Sequence, residues 1–329
     1  MTRPRVGFLG TGWIGRHRMA AMIATGAIEA AAICDPDPDC AVEGAKFAPD
    51  AKLLPSFEAL LAEQLDGLVI ATPSALHASQ AIAALEGGAA VFCQKPLGRD
   101  AAETQAVIDA ARAADRLLAV DLSYRRTAAV EAVTQAIRSG ALGTVFAVDL
   151  TFHNAYGPGK PWFFDRAQSG GGCVIDLGVH LVDLALWLLD FPHVRAVDAR
   201  LFAKGRPLVP DTREVEDYAT ARIDLAGGAS VDLACSWNLN AGCEAVIGAM
   251  FHGTEASAGF RNIDGSFYDF EAVLNRGTMH EVIASPPDDW GGRVAADWAE
   301  RLARSNRYDP QVESVATVAE TLDRIYGAG

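Results

Sequence analysis

Gly10-Thr11-Gly12-Trp13-Ile14-Gly15 joins a short apolar run, Arg5–Leu9, to a helical pattern over Trp13–Thr25. Glycine-rich turns are common, and this one gains its weight from its place directly after a strand pattern and at the opening of a helical one. The first glycine permits a tight turn, the second lets a pyrophosphate approach the backbone, and the third lets helix and strand pack closely. Free amides and the dipole at the helix start attract phosphate. Asp35 ends a second strand pattern, Ile28–Cys34, twenty residues after Gly15. From there a carboxylate holds the hydroxyls of an adenosine ribose. The following Pro36-Asp37-Pro38-Asp39 offers no Arg or Lys to a ribose 2′-phosphate, and Asp35 repels one. NAD is therefore expected over NADP. Arg16 and Arg18 begin beyond the turn, and their side chains are expected to point away from it.

Short apolar runs continue to alternate with helical patterns up to residue 122. Strands are expected at Gly67–Ala71, Ala89–Cys93 and Leu117–Leu122, and helices at Pro38–Phe47, Leu76–Glu86 and Ala101–Ala114. Continuously apolar strands separated by helices indicate a parallel sheet covered on both faces. Beyond residue 122 the period changes. Val145–His153 alternates, with Phe146, Val148, Leu150 and Phe152 on one face. Val215–Leu225 and Ser230–Asn238 flank the turn Ala226-Gly227-Gly228-Ala229, a hairpin signature. Helices are expected at Thr127–Ser139, Val174–Leu189, Arg293–Arg304 and Val312–Tyr326. The expected fold is α/β: a Rossmann domain with a doubly wound parallel sheet over 1–122, then an α+β domain with a large, predominantly antiparallel sheet over 123–329.

With 28 Lys+Arg against 42 Asp+Glu, the net charge is −14 and the pI about 4.9. That balance excludes a general nucleic-acid binder, which needs a basic face, and a polybasic membrane-surface protein. The most apolar stretch, Leu184–Leu189, is far short of the roughly 20 residues that cross a bilayer. The six cysteines form no CxxC pair and have no zinc-ligand spacing. They read as buried thiols in a reducing compartment, hence a cytoplasmic protein.

Three further segments narrow the reading. Ala71-Thr72-Pro73-Ser74-Ala75-Leu76-His77 ends one parallel strand, and Gln94-Lys95-Pro96 ends the next. The third is Gly171-Gly172-Cys173-Val174-Ile175-Asp176-Leu177-Gly178-Val179-His180. With the glycine turn, they make a chain that resembles the Gfo/Idh/MocA family of oxidoreductases over essentially its whole length. The resemblance implies that Thr72, Pro73, Ser74 and His77 line the nicotinamide side of the cofactor. It implies that Gln94 and Lys95 contact its ribose, with Lys95 also at the substrate, and that Asp176 and His180 bind substrate and transfer a proton. Arg125, thirty residues after Lys95, and Asn154 are implied on the substrate side. The family's usual turn has Glu before Lys-Pro, where this chain has Gln94. That removes a negative charge that would favour protonated Lys95.

The implied reaction moves a hydride between a sugar or cyclic polyol hydroxyl and the nicotinamide, in a cleft between the domains. Such an oxidation needs a base within hydrogen-bond reach, and imidazole changes charge near neutrality, which suits His180. A cation stabilises alkoxide character, which suits Lys95. Two other outcomes are carried alongside: a glycoside-processing enzyme that uses NAD transiently, and a non-catalytic NAD-binding sensor or co-regulator. A structural reading also competes at the helix, with Asp176 a cap and His180 a satisfied core residue. Asp183, on the same stripe, is expected to be structural, pairing with an arginine across the domain boundary. A zinc site at Asp176, His180 and Asp183 lacks the usual spacing and any cysteine, so no metal is expected. Trp13 and Trp162 are expected near cofactor or substrate, and Trp237 in the core. The second sheet is rich in Val, Ala and Ile, and an uncovered apolar face would seek a partner. A homodimer or homotetramer through that sheet is the expectation.

Overall fold

The computed structural model describes residues 2–209 and 213–327. They form two compact units, one of Met1–Ser123 with Gly291–Ser314, the other of Tyr124–Trp290 with Val315–Gly329. In the first, strands β1 (Arg5–Leu9), β2 (Glu29–Cys34), β3 (Lys52–Leu53), β4 (Gly67–Ile70), β5 (Ala90–Cys93) and β6 (Leu118–Val120) alternate with helices. The helices are α1 (Trp13–Ala24), α2 (Pro38–Ala45), α3 (Phe57–Leu61), α4 (Ser74–Glu86) and α5 (Ala101–Ala114). All strand pairs are parallel, in the order β3-β2-β1-β4-β5-β6. This is the doubly wound arrangement, with the strand order reversing at β1/β4. The two-residue β3 and the short α3 carry too little periodicity to be legible in the sequence.

Gly291–Ser314 groups with this first unit, whereas the sequence reading gave everything after residue 122 to the second. The physical reason is helix α9 (Arg293–Arg304). Ala295, Trp298, Ala299 and Leu302 recur at helical spacing and are buried in the same core as Val6, Phe8 and Phe92. The Trp298 and Phe92 rings lie 5.8 Å apart. A Cβ at Gly67 would come within 2.8 Å of both Trp298 and Leu302, so the start of β4 is bare where the helix lands. Each large side chain so buried contributes about 1.5–3 kcal/mol.

The second unit contains α6 (Ala128–Arg138), β7 (Val145–Asn154), α7 (Arg166–Ser169), a wide π turn (Val174–Gly178) and α8 (Val179–Leu188). Strands β8 (Val194–Ala203), β9 (Arg206–Pro207), β10 (Tyr218–Leu225), β11 (Ser230–Ser236), β12 (Ala245–Gly253), β13 (Ser257–Asn262), β14 (Phe270–Arg276) and β15 (Met279–Ala284) follow. Most of α10 (Ser314–Ile325) belongs here too. The nine-stranded sheet runs β15-β14-β13-β12-β7-β11-β10-β8-β9, antiparallel except for the parallel pair β7/β11. Val148, Leu150 and Phe152 of β7 join Val231, Leu233 and Cys235 of β11 in the core with Leu181, Leu184 and Leu322 from α8 and α10.

The other face of the sheet departs from expectation. Instead of a broad apolar surface it carries the pairs Arg222–Asp232, Arg261–Glu271 and His252–Asp149. Phe146, expected to share the buried face, is exposed at the strand end. The stretch from Arg166 to Leu188 is long and apolar enough to cross a membrane, but 83% of its most apolar window is buried inside the protein. Its composition is that of a helix enclosed by a sheet and its neighbours.

Candidate functional site

At the glycine turn, Gly10 adopts φ +85°, and a Cβ there would sit 2.6 Å from the Ala71 carbonyl oxygen. A Cβ on Gly15 would sit 2.1 Å from the Gly10 carbonyl oxygen. Gly12 is the N-cap of α1, which has no side-chain cap and no acid in its first turn. The first-turn amides, including Ile14's, are therefore left for an anion, and these residues fit the pyrophosphate of a dinucleotide. Trp13 is 62% exposed beside them. Asp35 Oδ2 accepts from the Thr11 amide at 2.6 Å and Oδ1 from the Asp37 amide at 2.9 Å. The carboxylate is thus fixed at the rim of the turn by backbone donors.

The two arginines do not both point away. Arg18 is buried, with Nε 2.5 Å from Asp121 Oδ2. Arg16 folds back instead, donating to the Thr11 carbonyl at 2.8 Å. It therefore lies against the residue whose amide Asp35 holds.

The strand-end motifs turn inward more than the resemblance implies. Thr72 Oγ1 donates to Gln80 Oε1 at 2.6 Å. Pro73 caps α4 and Ser74 is buried in its first turn. His77 is 1% exposed, with Nδ1 2.7 Å from the Pro96 carbonyl oxygen and Nε2 2.7 Å from that of Thr72. The ring is enclosed, with both nitrogens against protein carbonyls. Burial pushes its pKa below the ordinary histidine value, and the charge of Lys95 pushes the same way. Gln94 is buried and donates from Nε2 to Asp121 Oδ2 at 2.5 Å. Asp121 also accepts from Ser123 Oγ, which in turn accepts from Arg18. The amide in place of the family's Glu thus faces a carboxylate already present. Lys95, half-buried, stands between these two fixed neighbours.

In the second unit, Gly171 and Gly172 before the π turn allow close approach. A Cβ on Gly171 would lie 2.0 Å from Tyr326 Oη, and one on Gly172 would lie 1.9 Å from the Glu216 carbonyl oxygen. The fully enclosed Glu216 carboxylate accepts from the amides of Gly172 (3.0 Å) and Val174 (2.9 Å) and from Tyr326 Oη (2.7 Å). Burial pushes its pKa up, and these donors pull against that. It sits at the start of the helical segment that carries Asp176 and His180. Nothing local in Val-Glu-Asp-Tyr marks it, so sequence reasoning missed it.

Asp176 Oδ2 accepts from Trp237 Nε1 at 3.1 Å. Trp237 is in the core as expected, with this polar role added. The His180 ring lies 4.8 Å from the Tyr124 ring and 6.4 Å from that of Phe152. Tyr124, also missed, is held by Trp290 and Phe270, and its phenol is pushed up by burial and then by Asp176. The Val179 amide reaches back five residues to the Val174 carbonyl, so a π turn stands between Asp176 and His180. Such turns recur at functional sites. Two residues past Phe152 on β7, Asn154 has a buried Oδ1 with no hydrogen-bond partner among the described residues.

The Arg125 guanidinium clasps Asp183 through two bonds, with Nε 2.8 Å from Oδ2, and lies over the Trp187 ring at 5.2 Å. Asp183 is structural as expected, but its arginine belongs to the same unit. Trp162 stacks on Phe163 at 3.8 Å. All six cysteines are free, and Cys34, Cys93, Cys173 and Cys235 are buried. Among the described residues no group of three or more His, Cys, Asp or Glu side chains is placed to hold a metal ion.

A family model described as an oxidoreductase family with an NAD-binding Rossmann fold matches residues 4–122, and one described as the GFO/IDH/MocA C-terminal domain matches residues 130–258. D-Glucoside 3-dehydrogenase of Escherichia coli (strain K12) is 28% identical over 266 residues, covering 77% of this chain and 76% of that protein. Inositol 2-dehydrogenase of Acidothermus cellulolyticus is 27% identical over 348 aligned positions, covering 97% of each. A solved structure of levoglucosan dehydrogenase in complex with NADH and levoglucosan superposes with a TM-score of 0.81 at 23% identity, covering 99% of this chain and 97% of that one. At that identity the likeness is one of fold.

Proposed function

This chain belongs to the Gfo/Idh/MocA family of NAD-binding oxidoreductases, and on that premise we propose that it oxidises a hydroxyl of a sugar or cyclic polyol, or reduces the ketone. The observation that carries this reading is the neighbourhood of His180. An imidazole on an aromatic bed lies on the same helical segment as a carboxylate oriented by Trp237. The nearby β7 strand ends in a buried acceptor oxygen, at Asn154, that a substrate hydroxyl would satisfy.

Gly10, Gly12 and the first turn of α1 would hold the pyrophosphate, and Asp35 the adenosine ribose. Bound NAD supplies the hydride acceptor. His180 takes the hydroxyl proton, Asp176 orients the hydroxyl and His180, and Lys95 stabilises developing negative charge on the oxygen. Asn154 accepts a second hydroxyl of the ring. A non-catalytic sensor has no need of this proton-transfer set, which speaks against that alternative. The six free thiols agree with a cytoplasmic setting. We expect a homodimer or homotetramer through the outer face of the second sheet, its ion pairs included, and no membrane or nucleic-acid partner. A monomer in light scattering overturns the assembly.

The test is a panel of D-glucose, methyl glucosides, levoglucosan and myo-inositol, read by NADH absorbance before and after dialysis against a strong chelator. Substrate-dependent NADH that survives chelation is expected. Product formed without free NADH would favour the transient use of NAD. NAD binding without turnover on any member would favour the sensor.

A further inference from the structure

The strand-end segment around Lys95 is held by polar groups that the reaction does not use. After the lysine, the Pro96 carbonyl meets His77 Nδ1 at 2.7 Å, and the same ring reaches the Thr72 carbonyl through Nε2. Before the lysine, Gln94 is fixed to Asp121, which is itself bonded to Arg18 and Ser123. Both chain neighbours of Lys95 are thus tied to buried groups. We propose that His77 is the positioning residue for Lys95, its enclosed imidazole fixing the chain just after the lysine so that the ammonium is delivered to one place.

Three observations favour this over a cofactor contact or a filler role. The ring is 1% exposed, so it touches protein only. Its two contacts are with strand-end residues, Thr72 after β4 and Pro96 after β5, and so cross-link the ends of two adjacent strands. The charged groups facing it are Lys95 and Glu103, so the lysine is close enough for its charge to act on the ring. A neutral imidazole has one N–H and can donate to one of the two carbonyls; the protonated ring donates to both. Displacing a catalytic group by about 1 Å costs on the order of a hundredfold in rate, so the tie has functional weight.

The proposal rests on Lys95 being the cation at the reacting oxygen, and its test separates the two ideas. The chain has five lysines, Lys46, Lys52, Lys95, Lys160 and Lys204. Isotope-labelled dimethylation gives each a resolvable NMR signal, assigned for Lys95 with Lys95→Arg. In folded His77→Ala, and less so in His77→Gln, which keeps one N–H donor, the Lys95 signal is expected to shift while the other four stay. In turnover on the panel, kcat of His77→Ala should fall about tenfold to a hundredfold with KM for NAD nearly unchanged. In a Lys95→Met background, His77→Gln should cost almost nothing further. An unmoved Lys95 signal in both variants, or an equal His77 penalty with and without the ammonium, overturns the proposal. Wild-type turnover in Lys95→Met alone overturns the reading of Lys95 instead, and the NMR result still decides the tie.

Discussion

The candidate residues around Lys95 in the first unit and those around Asp176 and His180 in the second are held by different means. Around Lys95, the supporting groups come from the ends of adjacent parallel strands: Thr72 after β4, Gln94 and Pro96 after β5, and Asp121 after β6. Around Asp176 and His180 they come from distant parts of the chain: Tyr124 before α6, Glu216 before β10, Trp237 after β11 and Tyr326 after α10. A parallel sheet aligns the carboxyl ends of its strands without further contacts, so short loops there already share one edge. A helix lying on an antiparallel sheet has no such alignment. Its start must be anchored by long-range contacts, and here the anchor is a buried carboxylate. The first group is tied partly through the neutral contacts of His77 and partly through the buried Arg18–Asp121 pair; the second centres on the enclosed Glu216 carboxyl.

The largest expected effect tests whether the second group carries only the proton. His180→Ala should lower kcat by about 10²–10⁴ and leave NAD binding, measured by tryptophan quenching, unchanged. A parallel loss of NAD affinity would mean that the two groups are not separable in this way.

The next effect is on stability, and its sign differs between the two groups. Removing the Glu216 side chain strands two amides and a phenol in the core, and Glu216→Ala should cost about 3 kcal/mol in urea unfolding. The pKa of Glu216 is raised in the fold above its usual 4.5. The native state then holds the proton longer than the unfolded chain, and stability falls as pH rises from about 4.5 towards that raised value. His77 is the reverse. Its folded pKa lies below 6.5, so the unfolded chain binds the proton more readily. Stability is full above 6.5 and falls as pH drops through the folded value. Glu216→Gln and His77→Gln should each remove only its own slope. If both variants flatten the same limb of the pH–stability curve, the contrast between the two groups is wrong.

A smaller effect concerns Gln94. Gln94→Glu would place a second carboxylate against Asp121, which Arg18 already balances. A loss of about 1–3 kcal/mol in urea unfolding is expected. Unchanged stability would show that the network tolerates a charge that its geometry argues against.

How much was legible in the sequence follows the same division. The doubly wound order, the glycine turn and the Lys95 segment came through because parallel strands read as bare apolar runs and their functional loops are contiguous. Asp176 and His180 were legible through the motif that contains them, but their supports were not. Glu216 has no signal in a lone sequence, because what defines it is the approach of Gly172 from 44 residues away. The spacing of Arg125 from Lys95 carries no signal of the Asp183 carboxylate that it clasps on α8. Nor does the motif around His77 show its burial against Thr72 and Pro96. Helix α9 was found as a helix yet given to the wrong unit, since an amphipathic face does not name the core it will join.

The smallest expected effect is on cofactor choice, and it sharpens what the first unit can do alone. Asp35 is held by the Thr11 and Asp37 amides, with lone pairs left to accept from both ribose hydroxyls of NAD. Against the phosphate of NADP the same carboxylate is repulsive. Arg16 complicates this, because it folds back onto Thr11 and so begins on the side of the turn where Asp35 sits. Wild-type protein should still prefer NAD in kcat/KM, because a guanidinium bonded to the Thr11 carbonyl must release that contact to reach a phosphate. Asp35→Ser removes the repulsion and leaves Arg16 available, so it should narrow the preference by about tenfold, or 1.4 kcal/mol. Adding Pro36→Arg should carry it further towards NADP, and adding Arg16→Ala to Asp35→Ser should take back most of the gain. If Arg16→Ala has no effect on NADP use in that background, Arg16 serves only the turn. Discrimination would then rest on Asp35 alone.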